Sequence, residues 1–153
     1  MKSIDYVDGE VKDSITSFQE GFLEEEGVSI HYIFCQNFDP KLTSIVYIPG
    51  LMSTAEESLH FMARFPKRKI IGISMRGRGQ SSCPEMGFAI ENHARDIDRV
   101  IRHLRLGKFI IVGQSIGSTY ATCFLSLAKA KPLGLVIGDQ ALCTRKLPEG
   151  WAK

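Results

Sequence analysis

The feature that most constrains this chain of 153 residues is a serine between two glycines, Gly113-Gln114-Ser115-Ile116-Gly117. It lies where a continuous apolar run, Phe109 to Val112, gives way to a run with helical spacing, Ile116 to Ala128. So tight a turn forces the serine into a strained backbone conformation, with its hydroxyl projecting above the strand end. Only glycine fits beside it, because Cβ atoms would collide where strand and helix nearly touch. The pattern predicts a nucleophilic serine, and a serine that only caps a helix is the alternative.

The rest of the chain alternates between strand-like and helix-like runs. Such alternation predicts an α/β fold with a mostly parallel sheet, flanking helices and ligands at the carboxyl ends of its strands. The first two strands form an antiparallel pair with alternating apolar residues and an acidic turn. The predicted elements are strands over Ser14 to Leu23 and Val28 to Phe34 around the turn Glu24 to Gly27, a helix containing Ala55 to Ala63 capped by Ser53 or Thr54, and a helix from about Ala89 to Leu104.

Four segments around this turn resemble the α/β-hydrolase fold, in its order and at its usual intervals. They cover the chain from about residue 20 to residue 142. Pro49 stands where the family often has histidine, and Ser74 where it often has aspartate. The segments are Ser44 to Ser53, like the strand and oxyanion loop; Ile70 to Ser81, like the next strand and its R-G-x-G-x-S turn; Glu91 to Leu104, like the helix before the elbow strand; and Leu135 to Asp139, like the strand after the elbow helix.

The resemblance implies roles for individual residues. In this family the oxyanion hole is built from main-chain N–H groups, here those of Leu51 and Ile116. Asp139 occupies a position that some members use for the catalytic acid. The family's catalytic histidine follows the serine and the acid, whereas all four histidines of this chain precede Ser115. These four, expected to be partly exposed surface residues, are His31, His60, His93 and His103.

The family's sheet normally has eight strands, and only six are predicted here. The expectation is therefore that residues 1–153 form one α/β-hydrolase core domain that is the N-terminal portion of a longer protein, without the cap and the last strands. Leu133 to Ile137 would otherwise be an open apolar edge strand, which invites a partner. That edge predicts either further strands from the intact protein, or a homodimer or strand exchange.

Composition excludes several classes of function. The formal net charge of +2 offers no electrostatic attraction to nucleic acid or to an anionic membrane. A basic cluster, Arg64 to Lys69, is expected to be a solvated connection. Phe109 to Ala128 carries no charge, but it is too polar and glycine-broken for a membrane helix. The turn Gly77 to Ser82 lacks the third glycine of a dinucleotide fingerprint.

The four cysteines lie far apart in the sequence. No secretory signal is visible after Met1. Because Cys35, Cys83, Cys123 and Cys143 form no C-x-x-C pair, neither a zinc site nor a disulfide framework is expected. Unpaired thiols fit a reducing compartment, and the predicted location is the cytoplasm.

The resemblance thus implies a carboxylesterase-like serine hydrolase that acts on carboxylic ester-like bonds of a small molecule. No metal and no organic cofactor is expected. The alternative is a non-catalytic hydrolase-like module that binds a ligand or a partner and lacks a complete triad.

Overall fold

The computed structural model describes residues 18–140 and shows one six-stranded sheet with helices on both faces. This confirms the predicted α/β class. The elements are β1 Phe18–Glu25, β2 Val28–Cys35, β3 Ser44–Ile48, a 3₁₀ turn Ala55–Ser58, α1 Leu59–Arg64, β4 Ile70–Ile73, α2 Ile90–His103, β5 Phe109–Gln114, α3 Ile116–Leu127 and β6 Leu135–Gly138.

The strands lie in the order β1-β2-β4-β3-β5-β6. β2 pairs antiparallel with both β1 and β4, and every pair from β4 to β6 is parallel. The carboxyl ends of β3 to β6 therefore share one edge of the sheet. The chain moves from β3 to one side and then returns to β5 on the other, so a topological switch point lies between β3 and β5, where open α/β sheets bind ligands.

Alternate residues of the central strands supply two apolar cores. On one face, β3 and β4 residues such as Val46 and Ile71 pack beneath α2 and α3, whose Val100 and Phe124 are fully buried. On the other face, Tyr47 and its neighbours pack beneath the 3₁₀ turn and α1. Each fully buried large apolar side chain contributes about 1.5–3 kcal/mol.

Two of the predicted elements differ from the structure. The acidic turn is shorter than expected, because Glu24 and Glu25 belong to β1 and only Glu26 and Gly27 turn, both with positive φ, as tight hairpins require. The helix expected over residues 55–63 begins as a 3₁₀ turn. Thr54 is its N-cap, but the hydroxyl donates to the Glu56 carboxylate and caps no backbone N–H. Residues 14–17 of the predicted first strand lie outside the described part.

Candidate active site

Ser115 is the single residue between β5 and α3. Its backbone has φ 50° and ψ −126°, so the strained conformation predicted from the glycine-bracketed motif is present. The residue is half-buried, and its hydroxyl makes no hydrogen bond to any residue from 18 to 140. Ser115 therefore presents an unengaged hydroxyl at the carboxyl edge of the sheet.

The elbow glycines are required by close backbone approach. A Cβ atom on Gly113 would lie 2.5 Å from the Cα of Ser118, and one on Gly117 would lie 2.5 Å from the carbonyl oxygen of Pro49. Real Cβ atoms do not make such contacts. Both glycines are thus needed for the turn itself, as the motif predicted.

Hydrogen bonds tie the elbow to the neighbouring strand. The Ser115 N–H donates to the Gly138 carbonyl at 2.7 Å, and the Ser118 hydroxyl donates to the Gly113 carbonyl at 2.6 Å. Asp139 follows Gly138 directly, is exposed, and has φ 51°. The structure therefore brings Asp139 to the same edge as Ser115, on the adjacent strand, with its carboxylate unbonded within residues 18–140.

Two backbone N–H groups near the serine have no partner among residues 18–140. Gly50 lies beside Ser115, and the loop continues from it into Leu51. Ile116 is the first residue of α3, where N–H groups lack intrahelical acceptors and the helix dipole is positive. Within the described residues, neither the Leu51 N–H nor the Ile116 N–H donates a hydrogen bond.

Arg78 joins this loop to the elbow helix. Its Nη1 donates to the Gly50 carbonyl at 3.2 Å, and its Nη2 donates to the Tyr120 hydroxyl at 2.9 Å. Its guanidinium carbon lies 5.5 Å from the centre of the Tyr120 ring. Sequence reasoning placed Arg78 only within a turn at the carboxyl edge, since no local pattern reveals a contact with α3.

Two other members of that turn, Arg76 and Ser81, make structural contacts. Arg76 is buried and forms a two-pronged ion pair with the fully buried Asp96 of α2, at 2.6 and 2.7 Å, and it also donates to the Gly87 carbonyl. The Ser81 hydroxyl donates to the Ser74 carbonyl at 2.6 Å. These bonds attach the turn to α2 and to β4.

The expectation that the histidines are partly exposed is wrong for two of them. His31 is fully buried, with Nδ1 3.0 Å from the Ser74 hydroxyl, and burial lowers its pKa. His93 is 3% exposed and stacks on Tyr120 at 4.2 Å. Burial, reinforced by Arg78, lowers the pKa of His93 to about 4. Both residues lie on the buried faces of their elements. The spacing of apolar residues in the sequence did not reveal this, because histidine is polar. His60 and His103 are exposed as expected.

None of these histidines is hydrogen-bonded to Ser115, so within the described residues the Ser115 hydroxyl has no paired base. Between residues 18 and 140, no group of three potential metal ligands is close enough to hold an ion. In the same part of the chain, every helix is too short or too polar to cross a membrane.

Comparison with known proteins gives a consistent result. A family model described as alpha/beta hydrolase fold matches residues 43–140. An AB hydrolase superfamily protein of Bacillus subtilis is 31% identical over 84 residues, 54% of this chain and 31% of that protein. A 2-(acetamidomethylene)succinate hydrolase of Mesorhizobium japonicum is 33% identical over 75 residues, 48% of this chain and 27% of that protein.

A solved N-acyl homoserine lactone degrading enzyme aligns with a TM-score of 0.71 at 25% identity, over 78% of this chain and 45% of that one. The chain therefore matches less than half the length of each of these three proteins.

Proposed function

The chain belongs to the alpha/beta hydrolase fold family, and from that membership we propose that it carries the nucleophile of a serine hydrolase acting on carboxylic ester-like bonds. The observation that carries the proposal is the backbone of Ser115, which lies between a strand and a helix and has a φ of 50°. Strain of this kind persists only where the surrounding structure holds it, and it clusters at sites of function.

The chemistry we propose is acyl transfer. The Ser115 Oγ attacks the carbonyl carbon, its proton passes to a base, and the carbonyl π electrons move onto oxygen. The N–H groups of Leu51 and Ile116 stabilise that oxyanion, and each such donor is worth about 10²–10³ in kcat. Collapse expels the alcohol, which takes the proton back from the base, and water then releases the acyl group by the same steps.

The base must come from outside the residues that the structure describes. Serine is a weak nucleophile at neutral pH until a base accepts its proton. We propose that a histidine contributed by a longer polypeptide or by a second chain is that base. Asp139, at the end of β6 and free of other bonds within residues 18–140, would orient it.

Two relatives suggest a substrate class. One is named for hydrolysing 2-(acetamidomethylene)succinate and another for degrading an N-acyl homoserine lactone. Two exposed apolar side chains, Leu51 and Met52, follow Gly50, which lies beside Ser115. We propose a small carbonyl compound with an apolar portion, and no metal or organic cofactor is required for this mechanism.

A non-catalytic binding module is the second candidate. It is favoured by one observation, the lack of a hydrogen bond between Ser115 and any histidine within residues 18–140. Residual turnover does not separate the two functions, because an oxyanion hole without a triad still gives about 10³–10⁴ over water. Chemical activation of the serine does separate them.

The test is stoichiometric labelling by a fluorophosphonate, measured as intact mass. Ser115→Ala removes the nucleophile, and Ser126→Ala is the matched control, since Ser126 is an exposed serine of the same helix. Labelling of wild type and of Ser126→Ala, but not of Ser115→Ala, would support an activated nucleophile. Folded wild-type protein that stays unlabelled would favour the binding module.

We also propose that β6 pairs with a further strand, from a longer polypeptide or from a second copy. Within the described residues β6 has one neighbour, and Val136 on its face is 50% exposed. An unpaired apolar edge favours association. A well-folded monomer of this chain in sedimentation velocity would contradict the proposal.

A cytoplasmic location is likewise proposed. Cys35, Cys83 and Cys123 are free, and burial raises the pKa of the Cys35 thiol. Free thiols persist in a reducing compartment. Fractionation of cells that express the native protein would test this location.

A further inference from the structure

Arg78 connects three segments at the carboxyl edge of the sheet. It lies in the turn after β4, bonds the carbonyl of Gly50 in the loop after β3, and bonds the hydroxyl of Tyr120 on α3. Its own backbone is held at both ends, because its N–H donates to Met75 and its carbonyl accepts from Ser81. The backbone from which the Arg78 side chain extends is therefore fixed.

The bond to Gly50 acts on Leu51 through one peptide group. The Gly50 carbonyl and the Leu51 N–H belong to the same peptide unit, which is planar and trans, so they point in opposite directions. An anchor on the carbonyl oxygen thus sets where the N–H points. The Ser53 N–H also donates to this oxygen, at 3.3 Å, but Ser53 is part of the same loop.

Within the described residues, no hydrogen bond other than that of Arg78 holds this peptide from outside the loop. The side chains that follow it are exposed, Leu51 by 61% and Met52 by 93%, so packing does not fix the loop there. Tyr120, by contrast, is 5% exposed and is stacked on the buried His93. Arg78 therefore ties a weakly packed loop to a firmly packed position on the helix that Ser115 begins.

We propose that Arg78 is a positioning residue of the oxyanion hole, which aims the Leu51 N–H at the substrate's carbonyl oxygen. This inference rests on the proposed serine hydrolase function. Arg78 touches no reacting atom; it acts through the peptide group that it anchors. A charged donor on the carbonyl also polarises that peptide and strengthens the N–H as a donor, since linked hydrogen bonds reinforce one another.

The test compares Arg78→Met and Arg78→Lys with wild type by ¹H–¹⁵N NMR of the Leu51 and Ile116 amides. Arg78→Met should shift the Leu51 amide resonance and lower its heteronuclear NOE, and leave Ile116 unchanged, because Ile116 is held by α3. Arg78→Lys should lie between, since one ammonium cannot span both acceptors. Arg95→Met is the control, as Arg95 is an exposed arginine whose side chain bonds, among residues 18–140, only Asn92.

The fluorophosphonate labelling rate is measured on the same proteins. Misplacing one donor should slow labelling of Arg78→Met about tenfold to a hundredfold, with circular dichroism unchanged. If wild-type protein labels, an unaltered Leu51 amide resonance in Arg78→Met would overturn the inference. An altered resonance with an unaltered labelling rate would overturn it as well.

Failure of the proposed function has a different signature. If wild-type protein does not label, the serine is not activated in this chain, whereas the Leu51 amide still shows whether Arg78 aims that donor. A shifted Leu51 amide resonance in Arg78→Met would then support Arg78 as the anchor of that peptide, and an unchanged resonance would overturn the inference.

Discussion

Gly50 lies directly against Ser115: a Cβ atom on Gly50 would sit 3.7 Å from the Cβ of Ser115 and 3.8 Å from the carbonyl oxygen of Gln114. These are ordinary van der Waals separations. A methyl group at Gly50 would therefore fit the fold but occupy the space beside Ser115.

Gly50→Ala should accordingly separate folding from reactivity. We expect the free energy of unfolding to change by less than about 0.5 kcal/mol, as for substitutions that meet no clash. Labelling of Ser115 by a fluorophosphonate should slow about tenfold, because the methyl group displaces the approaching reagent. Urea unfolding and the labelling rate measure the two effects, and equal labelling rates would count against a site at this place.

Gly117→Ala should destabilise the protein strongly. Its Cβ would lie 2.5 Å from the Pro49 carbonyl oxygen, and neither backbone can yield without moving β3 away from α3. We expect a loss of about 2–4 kcal/mol in the free energy of unfolding. Gly107→Ala is the control and should be neutral, since no atom of the described part of the chain lies within 4 Å of its Cβ. Similar urea midpoints for the two variants would refute the tight elbow.

Ser115→Gly should stabilise the fold while removing the nucleophile. Ser115 has φ 50°, where glycine is unstrained, so relief of strain should raise the free energy of unfolding by about 1 kcal/mol. Ser126 lies within α3 and has ordinary helical geometry. Ser126→Gly should instead lower the free energy of unfolding by about 0.5 kcal/mol. Thermal and urea unfolding of both variants test whether the two changes in stability have opposite signs. A loss of stability in Ser115→Gly would mean that the serine is not strained.

Asp96→Asn should expose the role of the buried ion pair with Arg76. The neutral amide leaves the guanidinium of Arg76, which is 6% exposed, without its counter-charge. The free energy of unfolding should therefore fall by about 3–5 kcal/mol. Asp98→Asn breaks a 2.8 Å pair with Arg102, which is 56% exposed, and should cost less than about 1 kcal/mol. Comparable losses in the two variants would disprove the distinction.

His93 should make stability depend on pH. Burial lowers its pKa to about 4 in the folded protein, whereas unfolded histidine titrates near its ordinary value of 6.5. As pH falls from about 6.5 to about 4, the unfolded chain gains a proton that the folded protein refuses, so stability falls. Arg78 opposes protonation more strongly than Asp96 favours it, and Arg76 opposes it more weakly than either.

His93→Phe keeps a ring against Tyr120 and removes this titration. Between pH 6.5 and 4, wild type should lose on the order of 2 kcal/mol more than His93→Phe. His60→Gln, a change of an exposed histidine, should retain the wild-type slope. Urea unfolding at a series of pH values measures this difference, and parallel curves for wild type and His93→Phe would show that His93 titrates normally.

Much of the fold and part of the site could be predicted from local pattern. The helix expected from Ala89 to Leu104 is α2, Ile90–His103, with ends that differ by one residue. The elbow at Ser115 was predictable because its glycines and the two runs beside it lie within about 20 consecutive residues. The role of Ser115 as nucleophile stays a prediction, as do the roles of Leu51, Ile116 and Asp139.

The contacts that organise the site were beyond local pattern. Arg78 bonds Gly50 across 28 residues of sequence and Tyr120 across 42, and His31 bonds Ser74 across 43. Repeating apolar positions reveal which face of an element is buried, but not which polar side chain the opposite element presents to it. His31 and His93 were therefore misplaced on the surface.

The sequence alone thus determined the order of the elements and the tight turn at Ser115, because backbone sterics and the periodicity of apolar residues act over a few positions. Only the tertiary structure decided that Arg76 pairs with Asp96, that Arg78 anchors the Gly50 carbonyl, and that His93 is buried against Tyr120. Those relationships depend on strand order and helix packing, which bring distant residues to one edge of the sheet.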